Sequence, residues 1–177
     1  VSHGKSPRIL FLSLIDIYRR TGRVPRGFAE DATLSCDGWS AYPAYHPKLQ
    51  RCWAHLLRET EFVADRYNEA QQLCEELHEL HDDLTTFTEV DPSASARQEK
   101  RAEAMLTLEG LNRQEYANEE VADLIEKIRN GLGHWLTFVT ESEVNSTNNR
   151  AERALREQVV LRKRRRQSAC RTRAVCV

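Results

Sequence analysis

Apolar positions along the chain change their period near residue 49. Before it lies one short, uncharged, β-compatible run, Ala32-Thr33-Leu34-Ser35-Cys36, which stops at Asp37-Gly38 where glycine punctuates a turn. That run predicts a buried strand with an aspartate at its carboxyl tip. The apolar residues between Ile9 and Ile17 fit a strand or a short helix, because periodicity cannot separate the two at this length. Arg19 to Gly27 is basic and turn-rich and reads as a loop. The aromatic and proline-containing stretch with Trp39, Tyr42, Pro43, Tyr45 and Pro47 reads as a short helix or turn followed by a loop.

From residue 49 to residue 67 the pattern is helical, with Trp53, Leu56, Leu57, Thr60, Val63, Ala64 and Tyr67 recurring at three- and four-residue steps. Leu73, Leu77, Leu80, Leu84 and Phe87 continue it as a heptad-like seam, too short for a coiled coil and suited to an antiparallel helical hairpin. Asp91-Pro92-Ser93 breaks the seam. A polar helix over 97–111 places Ala102, Met105, Leu108 and Leu111 on one face. Asn118 can cap a further helix carrying Val121, Leu124, Ile125, Ile128, Leu132, Trp135 and Val139, with a bend at Gly131 and Gly133. A polar loop over 141–147 leads to Asn148-Asn149, which opens a last helix from Arg150 to about Leu161, and the tail beyond is basic and irregular. No internal repeat occurs.

With 177 residues, 40% of them hydrophobic, the chain has room for one medium domain or a small domain with a large insertion. No apolar run approaches the roughly 18 residues of a membrane span, and a cleaved signal peptide is disfavoured. The five cysteines are odd in number, scattered and without a CxxC pair, which fits a reducing cytoplasm better than a disulfide scaffold. The formal net charge of -1 hides a partition: residues 59–126 carry nineteen acidic against five basic side chains, while residues 150–177 carry ten basic against two acidic. Residues 1–58 carry nine basic against four acidic. The two ends could face a polyanion that the middle would repel; a solvated acidic helical face is the plainer reading of the middle.

Two carboxylates stand out. Asp37, at a strand tip, suits a hard divalent cation, which takes one or two protein carboxylates plus waters and phosphate oxygens; alone, Asp-Gly is most simply a turn. Glu152 lies three residues after Asn149, the spacing of a capping box. Yet Arg150, Arg153 and Arg156 share its helix, with Lys163 and Arg164 to Arg166 just beyond. Arginines three apart lie on one side of a helix, and their planar forks suit phosphate. His55, in Cys52-Trp53-Ala54-His55, could be half of a zinc site, but no second half stands nearby, so a packed or phosphate-facing histidine is the better reading. His78 and His81 sit on the acidic helix, and Trp53 and Trp135 are most simply core residues. No serine or cysteine nucleophile motif and no phosphate-cradling glycine loop is present.

Three blocks together resemble the transposase family of insertion sequence 66. They are Cys36-Asp37-Gly38-Trp39-Ser40-Ala41-Tyr42, then Gln50-Arg51-Cys52-Trp53-Ala54-His55-Leu56-Leu57-Arg58, then Thr147-Asn148-Asn149-Arg150-Ala151-Glu152-Arg153-Ala154-Leu155-Arg156. The resemblance spans roughly residues 29–163. It implies an α/β fold with a partial ribonuclease-H-like core and a large, mostly α-helical insertion over about 59–140, helix-rich overall. It also implies an Asp-Asp-Glu (DDE) site that uses Mg2+ or Mn2+ for DNA strand cleavage and strand transfer at transposon ends.

By position Asp37 would be the second aspartate and Glu152 the glutamate, both metal ligands. Asn148, Asn149 and Arg153 match the motif around that glutamate, and His55, Arg58, Arg153, Arg156 and Lys163 would lie near DNA. The family's first aspartate belongs to an earlier strand. Asp16 and Asp31 are the aspartates that precede Asp37, and neither stands in a block resembling the family's first one. The expectation is therefore a truncated copy, inactive alone, with an undefined segment over 1–28 and an irregular basic tail over 164–177. Two other classes stay open: a non-catalytic DNA-binding remnant that interferes with intact transposase by mixed assembly, and a helical protein-interaction module. A homo-oligomer is left open.

Overall fold

The computed structural model describes residues 9–11, 32–37, 47–111 and 116–149. Among the described residues three short strands, β1 (Ile9–Phe11), β2 (Thr33–Cys36) and β3 (Leu49–Arg51), form a parallel sheet in the order β1-β2-β3. Ile9 stands opposite Thr33, and Leu34 opposite Leu49. The run over 9–17 thus resolves as a strand at its start. β2 is the central strand, and every residue from Ala32 to Cys36 is buried, which explains why this stretch carries no charge.

β3 corrects the sequence reading, which began a helical pattern at residue 49. The helix starts only at Trp53, after the Cys52 amide has donated to the Cys36 carbonyl at 2.8 Å. Gln50 and Arg51 look solvent-facing in sequence, yet both are buried, because helices far along the chain satisfy their polar groups. Gln50 Nε2 donates to the Trp135 carbonyl at 3.2 Å, and its Oε1 accepts from the Phe138 amide at 2.8 Å. Arg51 donates to the Lys127 carbonyl at 3.1 Å and to the Asn130 carbonyl at 3.5 Å, at the carboxyl end of a helix where a cation is favoured. Thr137 Oγ1 donates to the Leu49 carbonyl at 2.5 Å, so this edge of the sheet is covered rather than open.

Helices follow: α1 (Trp53–Ala64), a 3-10 turn (Asn68–Ala70), α2 (Gln71–Glu89), α3 (Ala94–Leu111), α4 (Glu119–Arg129), α5 (Leu132–Trp135) and α6 (Thr137–Thr140). α1 and α2 pack as the predicted hairpin, burying Leu73, Leu77, Leu80 and Leu84. α3 buries Leu108 and Leu111 and packs Met105 against the core, as the spacing predicts, whereas Ala102 is exposed and Ala104 and Arg97 are buried instead. The Arg97 guanidinium donates to the Val139 carbonyl at 2.9 Å, the Pro92 carbonyl at 3.1 Å and Asp91 Oδ1 at 3.0 Å. Asp91 makes the preceding turn with a φ of 46°, a conformation that aspartate tolerates better than most residues.

Asn118 caps α4 as predicted: Oδ1 accepts from the Glu120 amide at 2.9 Å and the Val121 amide at 3.4 Å. The expected long helix ends at Arg129. A Cβ on Gly131 would stand 2.6 Å from Arg51 Nη1 and 2.7 Å from Trp135 Nε1, so glycine lets β3 and Trp135 close over this bend. The main apolar cluster, from Trp53 through Leu77, Leu108 and Ile128 to Val144, contains no strand residue. The fold is therefore helix-rich, with an all-helical part that carries its own core beside a small parallel sheet.

Candidate functional site

Asp37 follows β2 directly and is half-buried at the strand's carboxyl tip, where the sequence places it. One residue back, the Cys36 carbonyl accepts the Cys52 amide. The Cys52 side chain then reaches the far end of the helical part: its Sγ accepts the Asn148 amide at 3.3 Å. Beside it the Trp53 amide donates to the Ser146 carbonyl at 3.0 Å. The two ends of the helical part thus meet on the residue pair Cys52-Trp53, next to the strand that bears Asp37.

Trp53 fills this corner. It is fully buried, donates from Nε1 to the Trp135 carbonyl at 2.7 Å and lies edge-on to the Trp135 ring at 6.1 Å. On its other side His81 packs against the indole at 5.2 Å and places Nε2 3.1 Å from Ser146 Oγ. Burial pushes the His81 imidazole below its ordinary basicity, and the neighbouring Asp82 only partly offsets this. The neutral ring is therefore the form that holds Ser146. Sequence reasoning missed this histidine. The available signal was its place four residues after Leu77 and three before Leu84, on the edge of the buried seam.

Asn148 is buried, and its Oδ1 meets no hydrogen-bond partner among the described residues. Asn149 is exposed and helical, and the helix expected from Arg150 to about Leu161 lies outside the described residues. Beside it lies a cleft of about 710 Å³, lined among others by Thr85, Thr88, Arg97, Asn145, Ser146 and Asn149. His55 sits half-buried in the first turn of α1, and Arg58, one turn on, is exposed with its Nε on the Ala54 carbonyl at 2.8 Å. The structure thus brings Asp37, Cys52, Asn148 and the start of α1 to one corner. Glu152, Arg153, Arg156 and Lys163 lie outside the described residues.

Among the described residues no group of three or more His, Cys, Asp or Glu side chains converges. Asp37 offers a carboxylate and Asn148 an amide oxygen at the corner, hard donors that suit a magnesium-type ion and do not suit a zinc cage. No described helix is long and apolar enough to cross a membrane.

Neither the curated proteins nor the solved structures contain a match to this chain. A protein-family model does match, that of the Transposase IS66 family, over residues 14–174, a span wider at both ends than the one carried by the three sequence blocks. With most of its length covered by that match, the chain belongs to the IS66 family of transposases.

Proposed function

We propose that the chain carries the second aspartate and the glutamate of an Asp-Asp-Glu site on a ribonuclease-H-like core, and that it works on DNA at transposon ends. The observation that carries this reading is Asp37 at the tip of a central parallel strand, tied through Cys36 and Cys52 to Asn148, four residues before Glu152 in the sequence. In this reading the catalytic unit spans 29–163 and the helical insertion about 59–140. Asp37 and Glu152 would hold a divalent ion, Mg2+ or Mn2+. Such an ion, when bound, acidifies a water or 3′-hydroxyl nucleophile and neutralises charge at the phosphodiester. The chain's own residues do the rest. Asn148 and Asn149 start the glutamate's helix, Arg153, Arg156 and Lys163 bind phosphates by charge and by forked hydrogen bonds, and His55 and Arg58 extend that contact along α1.

The reading places two of the three carboxylates in this chain and expects them to bind metal. Titration with Mn2+ tests it. Asp37→Ala and Glu152→Ala should each remove binding and abolish any nicking of supercoiled plasmid, while leaving affinity for duplex DNA nearly intact. Manganese affinity unchanged in both variants would overturn it. The ten basic side chains over residues 150–177 support a second reading, a non-catalytic DNA-binding role by mixed assembly with intact transposase; DNA binding with no manganese response is the outcome it expects.

A further inference from the structure

We propose that Cys52 is a positioning residue: its backbone and its side chain together hold the Asn148-Asn149 turn in register with the strand that ends at Asp37. The role of the turn rests on the functional reading above, but the latch is visible without it. Three bonds define the latch. The Cys52 amide donates to the Cys36 carbonyl at 2.8 Å, which fixes Cys52 against the residue before Asp37. Its Sγ accepts the Asn148 amide at 3.3 Å, across 96 positions of sequence. The Trp53 amide donates to the Ser146 carbonyl at 3.0 Å and stops the turn from rotating about the first contact.

Sulfur is a weak acceptor, so the bond contributes direction more than strength. Direction matters here because the Asn148 amide is buried and takes this sulfur as its acceptor. Cys52 is fully buried and Asn148 nearly so, and an amide left without its acceptor at that depth would shift towards another. The described segment from Ser146 to Asn149 would move with it. His81 backs the latch by holding Ser146 Oγ, and Trp53 walls it from solvent.

Two measurements on the same 177-residue chain test this, with Cys52→Ala to remove the acceptor and Cys52→Ser to keep one. Hydrogen exchange read by mass spectrometry should show the 145–150 segment exchanging about fivefold faster in Cys52→Ala, as expected for the loss of one modest hydrogen bond. α2 should be unchanged in the same sample, and Cys52→Ser should restore protection. Equal exchange in the parent and Cys52→Ala, or acceleration spread evenly over α2, overturns the latch. Cys52→Ser behaving as Cys52→Ala overturns it too, since packing volume would then be the cause.

Manganese titration reads the consequence: about tenfold weaker binding in Cys52→Ala, the effect typical of outer-shell support. Undiminished manganese affinity in Cys52→Ala, while Asp37→Ala abolishes binding, overturns the positioning role. Should Asp37→Ala and Glu152→Ala leave manganese affinity unchanged while the exchange result holds, the functional reading fails and the latch stands.

Discussion

Arg97 shows how a single buried side chain can tie the start of a helix to a distant backbone. Only 5% of it is exposed, and its donors go to Val139, Pro92 and Asp91. Arg97→Ala should destabilise the chain by about 2–3 kcal/mol, chiefly by leaving the buried Val139 carbonyl unsatisfied, and urea denaturation checks this. Gln50 and Arg51 behave alike, joining β3 to backbone groups 76 to 88 positions away. These residues were the least legible in the sequence, because a buried polar side chain looks like a surface one until its partners are known. The apolar seam of Leu73, Leu77, Leu80 and Leu84 was legible because its spacing alone points it inward. Asp37 at a strand tip could also be read, since the uncharged run and the following glycine are local signals. His81 was legible only as a seam-edge position; its partners Trp53 and Ser146 are not brought near it by local sequence.

Capping and bending decide matters for the elements. Replacing Asn118 with alanine should cost about 1 kcal/mol, since two α4 amides lose their acceptor; a thermal melt measures it. Glu69 reinforces that entry by accepting from the Ala117 amide at 2.7 Å and the Asn118 amide at 3.2 Å. Gly131→Ala should be more damaging than an ordinary helix substitution, because the added carbon lies within 2.8 Å of Arg51 Cδ as well as of the two nitrogens. Arg51 must then leave the Lys127 and Asn130 carbonyls, and β3 loses its hold on α4. A lowered melting temperature with unchanged far-ultraviolet helicity at 10 °C is the expected result. The strand was missed, while the hairpin and the capped helix were anticipated, because three residues with one apolar side chain carry no period.

For the whole molecule, titration and salt are the informative variables. Burial lowers the basicity of both His81 and His134; Asp82 opposes the shift at His81 and His78 adds to it, while Arg51 adds to it at His134. The unfolded chain therefore binds protons near pH 6.5 where the folded chain does not, so stability should fall as pH drops below about 6.5. Melting temperatures between pH 7.5 and 5.5 should decline, and the decline should flatten in a His81→Gln, His134→Gln variant. DNA affinity should fall about a thousandfold between 50 and 200 mM salt if the basic ends neutralise about six phosphates. A flat response would detach those ends from DNA.

The main apolar cluster runs from Trp53 to Val144 without help from the sheet, and its two ends touch through the Trp53 amide and the Ser146 carbonyl. A segment whose entrance and exit are neighbours imposes no span on its host. Excised as residues 53–146, it should melt cooperatively as a helical protein in its own right. In related chains the same doorway could admit a longer, shorter or wholly different guest, and the sheet ahead of it would keep its aim.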